Sequence, residues 1–190
     1  KITVIDSLNV SLGESIMVIY ANRLKEAGTS YDEIVIWLNE FRHHINVQFT
    51  VDDLFHLQRG GRVSRTTALI GSAFNIKPFM YVTKNGTIAY AGNVRGRKKS
   101  ITTLVDKMKS TLNDNIDYTL PVGVVHGNCY EDAKFLAKTI KSKTKYKTVI
   151  IDAGHGGPDG GTSASDGTLE KDINLQIAHK VNDILNSMGV

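Results

Sequence analysis

Two residues near the end of the sequence have types and spacing suited to metal chemistry. A run of β-branched residues at 149–151 predicts a buried strand that stops at Asp152. A glycine-rich loop containing His155 follows, and Glu170 opens a predicted amphipathic helix. Imidazole nitrogen and carboxylate oxygen both suit Zn²⁺, so His155 and Glu170 form half of a candidate zinc site. A loop histidine without a metal is an equally open interpretation of His155.

The remaining histidines and the cysteine do not supply the missing ligands. His179 lies well beyond Glu170 along the predicted helix, about two and a half turns, which places it on the opposite side. His43 and His44 lie near the C-terminal end of a predicted helix, where they interact favourably with the helix dipole. The single cysteine, Cys129, excludes an internal disulfide and is interpreted as a small buried side chain.

The composition is that of an ordinary globular protein. The 190 residues can form one domain or two, with 41% hydrophobic and 22% charged residues. The net charge of +4 is small, and the one dense basic cluster, residues 95–99, has no stacking aromatics between its cations. We therefore expect no nucleic-acid partner. No apolar run of roughly 18 or more residues occurs, which predicts no membrane span.

Strand and helix patterns alternate along the chain and predict an α/β fold. Asn85-Gly86 between two β-rich runs is a strong hairpin signal, and Ser30 with Glu33 is a capping-box signature that opens a helix. We predict a mostly parallel sheet flanked by helices with one β-hairpin, incomplete at both ends. The predicted strands are 2–5, 46–51, 76–83, 87–94, 122–125 and 149–151, and the predicted helices are 11–27, 30–45, 52–58, 66–74, 100–112, 131–141 and 170–188.

Several motifs, in the right order, resemble the C-terminal part of DegV-family fatty-acid-binding proteins. They are VIDSLNVSLGE at 4–14, FTVDDLFHLQRGGRVS at 49–64, NIKPFMYV at 75–82, NVRGRKK at 93–99 and VGVVHGN at 122–128. The resemblance covers residues 1–142. It implies a two-domain α/β protein that holds a long-chain fatty acid in an apolar tunnel. It also implies that the acyl carboxylate is presented to a partner fatty-acid kinase in the cytoplasm.

Within this resemblance the predicted lipid-binding residues are Arg62, Ser64, Ile76 and Pro78. A buried carboxylate without a partner is costly, so the acid needs a positive or hydrogen-bonding anchor. Arg62 is the candidate on the headgroup side and Ser64 a second one, while the alternative that Arg62 only ties down its own loop stays open. The sequence also departs from the family. It has no counterpart of the N-terminal domain, and the segment with His155 replaces the expected His-Thr-Gly-Pro-Gly loop.

That segment resembles a different family, the zinc-dependent N-acetylmuramoyl-L-alanine amidases of bacterial cell-wall turnover. IDAGHGGPDGG at 151–161 and DGTLEKDINLQIA at 166–178 carry the resemblance, which covers residues 147–190. It implies that His155 and Glu170 are the first two ligands of a zinc ion that polarises an amide of peptidoglycan and activates water. The third ligand and the catalytic glutamate come later in that family's domain. No catalytic residue is therefore assigned within this chain.

Three functional hypotheses follow from these resemblances. The first is fatty-acid binding by a DegV-like domain at 1–142, impaired by truncation. The second is a zinc amidase that works outside the membrane, with residues 147–190 as the first strand, loop and helix of its catalytic domain. The third is a chimera of the two without function. Because each site lacks half of its ligands, we expect the chain to bind fatty acid weakly or not at all and to lack amidase activity.

Overall fold

The described strands form two sheets, one with three strands and one with two. In this computed structural model the described residues are 1–64, 75–114, 116–119, 121–127, 129–147, 149–152, 163, 166–169, 171–172 and 175–176. The chain divides into two units, Lys1–Ser110 and Thr111–Val190. The three-stranded sheet belongs to the first unit and the two-stranded sheet to the second.

The elements follow one another in an alternating order. The first unit contains α1 (Leu12–Glu26), α2 (Tyr31–Phe41), β1 (Gln48–Thr50), α3 (Leu54–Arg59), β2 (Ile76–Val82), β3 (Ile88–Arg95) and most of α4 (Arg97–Thr111). The second unit contains β4 (Val122–Val125), α5 (Tyr130–Lys143) and β5 (Val149–Asp152). The α/β class predicted from the sequence is confirmed.

Helices α1 and α2 pack against each other through aromatic side chains. The ring centroids of Trp37 and Phe41 are 4.2 Å apart, and those of Tyr20 and Trp37 are 4.9 Å apart. The predicted capping box at the start of α2 is confirmed. The Glu33 amide donates to the Ser30 hydroxyl at 3.4 Å, and the Ser30 amide donates to the Glu33 carboxylate at 3.0 Å. The Ser30 hydroxyl also donates to the Glu33 carboxylate at 2.6 Å. This bond and the one from the Ser30 amide hold the pKa of Glu33 below its ordinary value.

The three-stranded sheet is antiparallel, and β2 is its central strand. Met80 of β2 lies opposite Phe49 of β1 and opposite Tyr90 of β3. The predicted Asn-Gly hairpin is confirmed, with Gly86 at φ +76° and its amide donating to the Thr83 carbonyl at 2.9 Å. An irregularity lies between Phe79 and Met80, because Phe79 pairs with Gly92 and Met80 with Tyr90, which leaves Ala91 of β3 unpaired.

The prediction of a mostly parallel sheet requires correction for the described strands. Both pairings of β2 are antiparallel, and the pairing of β4 with β5 is parallel. A strand–helix–strand pattern suggested a parallel crossover between β1 and β2. A connection as long as 51–75 can return the chain in either direction, so the pattern alone does not fix the strand direction.

The structure differs from the prediction for two elements. Residues 2–5 are not a strand, and their side chains Ile2 and Val4 are 94% and 91% exposed. An apolar run forms a strand only where a neighbouring strand accepts its hydrogen bonds, and none of the described strands pairs with this one. Helix α4 begins at Arg97 rather than near Ser100, so part of the basic cluster lies in its first turn. The predicted helix at 66–74 lies outside the described residues.

The second unit is built on a strand–helix–strand arrangement. Strands β4 and β5 are in register from Val122 with Val149 to Val125 with Asp152, and α5 packs against both. The side chains of Val124, Ala133 and Ile140 are buried. The predicted strand at 149–151 is confirmed, and the described residues of the predicted last helix, 171–172 and 175–176, are helical.

The core of the first unit centres on Leu54 of α3 and Met80 of β2. Their side chains are 1% and 0% exposed, and half-buried apolar side chains pack around them. These partly buried neighbours are Phe49, Val51, Phe55, Leu57, Val63, Ile88 and Tyr90. Helix α3 is therefore fixed to the sheet by the contact between Leu54 and Met80.

The variant Met80→Ala tests this central contact. We expect it to lower the free energy of unfolding by about 2–4 kcal/mol, because a buried side chain is lost from the middle of the sheet. The measurement is the urea midpoint followed by circular dichroism. Val18→Ala on α1 is the control, since Val18 is 65% exposed and should change stability by less than about 0.5 kcal/mol. Equal effects of the two variants would contradict the assignment of Met80 to the core.

Candidate functional site

A cavity of about 440 Å³ lies in the first unit, between the loop that follows α3 and the β2–β3 hairpin. Its walls come from two short stretches of chain with different chemistry. The described residues that line it are Gly61, Arg62, Val63, Ser64, Met80, Ile88 and Tyr90. The volume falls within the range usual for small-molecule sites in proteins. The cavity is thus large enough for an organic ligand.

The loop on one side of the cavity is positioned by the end of α3. The Arg62 amide donates to the Leu57 carbonyl and the Gly61 amide donates to the Gln58 carbonyl, both at 2.9 Å. These two bonds, with Gly61 at φ +71°, form a Schellman motif. A residue with a side chain would be strained at this φ, so the second glycine of the Gly-Gly pair, Gly61, is required by the helix end. The motif turns the chain so that residues 61–64 reach the cavity.

The polar residues of the cavity lie on its exposed side. Arg62 and Ser64 are exposed, whereas Val63 between them is half-buried. The Arg62 guanidinium also donates from Nη1 to the Gly60 carbonyl. Arg62 therefore both secures its own loop and lines the cavity, so the two interpretations left open by the sequence do not exclude each other.

The apolar wall comes from the sheet and was missed by sequence reasoning. Met80, Ile88 and Tyr90 line the cavity and belong to or adjoin the core around Leu54. Ile88 and Tyr90 are two residues apart on β3 and so share one face of the strand. This alternation is readable in the sequence, but only the pairing of Tyr90 with Met80 shows that both strands face the same cavity.

Ile76 and Pro78 were also predicted to contact lipid. Both lie on β2, on the same face as Met80 by strand alternation, and Pro78 is fully buried. Neither is among the described residues that line the cavity. The structure brings Arg62 and Ser64 together with Met80, and it leaves Ile76 and Pro78 further along the strand. Their contact with lipid stays a prediction.

Lys77, between these two residues, has a structural partner. Its Nζ lies 2.9 Å from the Asp52 carboxylate, and Arg97 Nη1 lies 3.6 Å from the same oxygen. The hydrogen bond from Lys77 lowers the pKa of Asp52, and the positive charge of Arg97 lowers it further. The lysine of the NIKPFMYV motif thus joins the start of β2 to the segment before α3 and to the start of α4.

The predicted zinc ligands, His155 and Glu170, lie outside the described residues. Within the described part of the chain no three histidine, cysteine, aspartate or glutamate side chains are grouped as a metal site would require. Among those same residues, none of the helices has the length and apolarity needed to cross a membrane.

Comparison with protein families gives two matches that overlap. The family model described as an uncharacterised protein of the DegV family matches residues 1–168. The model of N-acetylmuramoyl-L-alanine amidase matches residues 149–190. The first match extends well past residue 142, where the sequence analysis ended the DegV resemblance, so that boundary was too early. Residues 149–168 are matched by both models.

A curated relative shows how much of the chain is similar to a known protein. A DegV domain-containing protein of Clostridium perfringens is 38% identical over 151 residues, which are 80% of this chain and 51% of that protein. The chain thus spans about half the length of the curated relatives it matches.

The solved structures have the same fold. A DegV-family protein from Ruminococcus gnavus, refined with vaccenic acid, matches with a TM-score of 0.71 and 27% identity, over 80% of this chain and 53% of that one. The Streptococcus pneumoniae Fatty Acid Kinase (Fak) B3 protein, loaded with linoleic acid, matches with a TM-score of 0.69 and 22% identity, over 80% and 52%.

Proposed function

Because this chain belongs to the DegV family, we propose that it binds a long-chain fatty acid in the cavity between residues 61–64 and the β2–β3 hairpin. The observation that carries the proposal is the division of this cavity into an apolar wall and a polar, exposed side. The related Ruminococcus gnavus protein was refined with a fatty acid, which supports the choice of ligand.

The chemistry of the walls matches the two ends of such a ligand. Each methylene group transferred from water to an apolar wall contributes about 0.8 kcal/mol, so the half-buried side chains of Val63 and Ile88 favour the acyl chain. The carboxylate needs a cation or hydrogen-bond donors when it leaves bulk water. Arg62 and Ser64 offer these on the exposed side. The acid would therefore lie with its chain inward and its carboxylate at the opening.

An exposed carboxylate can be reached by a second protein that transfers a chemical group to it. We propose that a fatty-acid kinase is that partner and acts on the acid in the cytoplasm. The shared fold of the Fatty Acid Kinase (Fak) B3 protein supports this proposal. These 190 residues span about half the length of the curated relatives, and we propose that by themselves they bind the acid more weakly than a full-length family member does.

The variant Arg62→Ala tests the headgroup contact. We expect it to weaken the binding of vaccenic acid about tenfold, the effect of losing one charge-assisted hydrogen bond at an exposed position. The measurement is isothermal titration of the purified chain after its own lipid has been extracted. Mass spectrometry of that extract identifies any acyl chain that copurifies.

Arg59→Ala is the matched control for this variant. Arg59 is also an exposed arginine near the end of α3, lies 3.8 Å from Asp53 and does not line the cavity. It should bind vaccenic acid as the unchanged chain does. Equal binding of the acid and its methyl ester, or equal losses in the two variants, would contradict recognition of the carboxylate by Arg62.

A second candidate function is favoured by the amidase match at 149–190. We propose that residues 147–190 are the first strand, loop and helix of a zinc amidase domain, joined to the DegV-like part of the chain. His155 and Glu170 would then contribute two zinc ligands, and the amide bonds of peptidoglycan would be the substrate.

The variant His155→Ala tests this candidate. We expect the 190-residue chain with added Zn²⁺ to release no peptide from purified peptidoglycan, because a third ligand and an acid–base carboxylate are also needed. The measurement is chromatography of the digest. Hydrolysis that His155→Ala abolishes, and that the control His179→Ala retains, would refute this expectation and establish the amidase.

A further inference from the structure

A second cavity lies in the first unit, where the chain leaving α2 meets the end of the β2–β3 hairpin. Its volume is about 230 Å³. The lining residues come from three stretches, before α1, after α2 and at the hairpin turn: Leu8, Asn9, Arg42, His43, His44, Ile45, Asn46, Tyr81, Val82, Thr83 and Lys84. None of these residues takes part in the cavity beside Arg62.

The two charged residues among the described lining of this cavity, Arg42 and Lys84, are both cations. His43 and His44 add imidazole rings, and none of the described lining residues is an aspartate or glutamate. Asp6 does not line the cavity, and its carboxylate accepts the Leu8 amide at 3.0 Å. Cations grouped without carboxylates repel one another, and a bound anion removes that repulsion.

The position after a helix C-terminus would ordinarily disfavour an anion, since the free carbonyls there are partly negative. Here these carbonyls have donors. The amides of Arg42, His43 and His44 donate to Leu38, Glu40 and Phe41 at 3.1, 3.3 and 2.8 Å. The Arg42 carbonyl accepts from Asn9 Nδ2 at 3.1 Å. The negative end of α2 is therefore largely satisfied within the protein.

Arg42 is half-buried and retains an unused donor. Its Nη1 donates to the Asp6 carbonyl at 2.9 Å, which fixes the guanidinium. Its Nε is buried and has no hydrogen-bond partner in the described part of the chain. Leaving a charged donor unsatisfied costs free energy, and an anion oxygen is the kind of acceptor that would satisfy it.

From these observations we infer that the cavity formed by Arg42, His43, His44 and Lys84 binds a phosphate-bearing ligand. A phosphate group carries a charge between about −1.5 and −2 near neutral pH, so it matches the two cations, Arg42 and Lys84, better than a single carboxylate does. Asn46 also lines the cavity, and its side-chain amide adds a donor beside the cations. The inference does not rest on fatty-acid binding, because it concerns different residues.

Titration with inorganic phosphate tests the inference. The unchanged chain should bind phosphate saturably at constant ionic strength. The measurement is by NMR, from the chemical-shift changes of the backbone amides around residues 42–46 and 83–84. The triple variant His43→Gln/His44→Gln/Lys84→Gln should bind at least about tenfold more weakly. This variant keeps Arg42 and its bond to Asp6, so the local fold is retained. The circular dichroism spectrum checks that retention.

A second triple variant provides the matched control. Lys25→Gln/Lys107→Gln/Lys109→Gln removes three exposed cations that do not line the cavity, and it should bind phosphate as the unchanged chain does. Equal weakening in both variants would show general attraction to a basic protein and overturn the inference. Absence of saturation with phosphate, or binding of acetate as tight as that of phosphate, would overturn it as well.

Discussion

The burial of Met80 at the centre of the antiparallel sheet is the constraint on which the first unit depends. Strand β2 is hydrogen-bonded on both sides, and its middle residues have no exposed side chain until Tyr81. Leu54 reaches this strand from α3 and joins the helix to the sheet. Because the Schellman motif follows that helix directly, the position of Met80 also determines where Arg62 and Ser64 lie. Packing and function are thus linked through one short helix.

The same strand separates two chemically different cavities. Met80 lines the one that is apolar on its inner side, and its neighbour Tyr81 lines the basic one. Tyr81 and Val82 point to opposite faces of the strand and both line the basic cavity, so the two cavities are separated along β2 and not by its two faces. Adjacent residues of one extended segment thus line an apolar wall and a basic cavity.

Features of the fold could be predicted from the sequence where they depend on interactions between residues close together in the chain. The Ser30–Glu33 capping box and the Asn-Gly hairpin were predictable, because each is determined by residues within one turn. The direction of β1 relative to β2 was not predictable, since it depends on a long connection. The apolar run at 2–5 predicted a strand, yet strand formation requires a neighbour that local sequence does not specify.

Some residues of the candidate site could likewise be predicted from the sequence, and others could not. Arg62 and Ser64 were identified through a motif resemblance, and both do line the cavity. Met80, Ile88 and Tyr90 were not singled out, because their apolar character is what any core residue has. Only the folded structure shows that they line one cavity with residues 61–64. Ile76 and Pro78 belong to the same motif as Met80, but proximity in sequence does not place them in the cavity wall.

The aromatic packing of α1 and α2 has a spectroscopic consequence. Trp37 is the one tryptophan in the sequence, so the indole fluorescence of the protein comes from a single environment. Its ring stacks on Phe41, which directly precedes Arg42 in the chain, and it also adjoins Tyr20 of the other helix. Emission excited at the red edge of the indole band therefore reports on the α1–α2 pair. Trp37 is thus an intrinsic fluorescent probe on the helix that leads to the basic cavity.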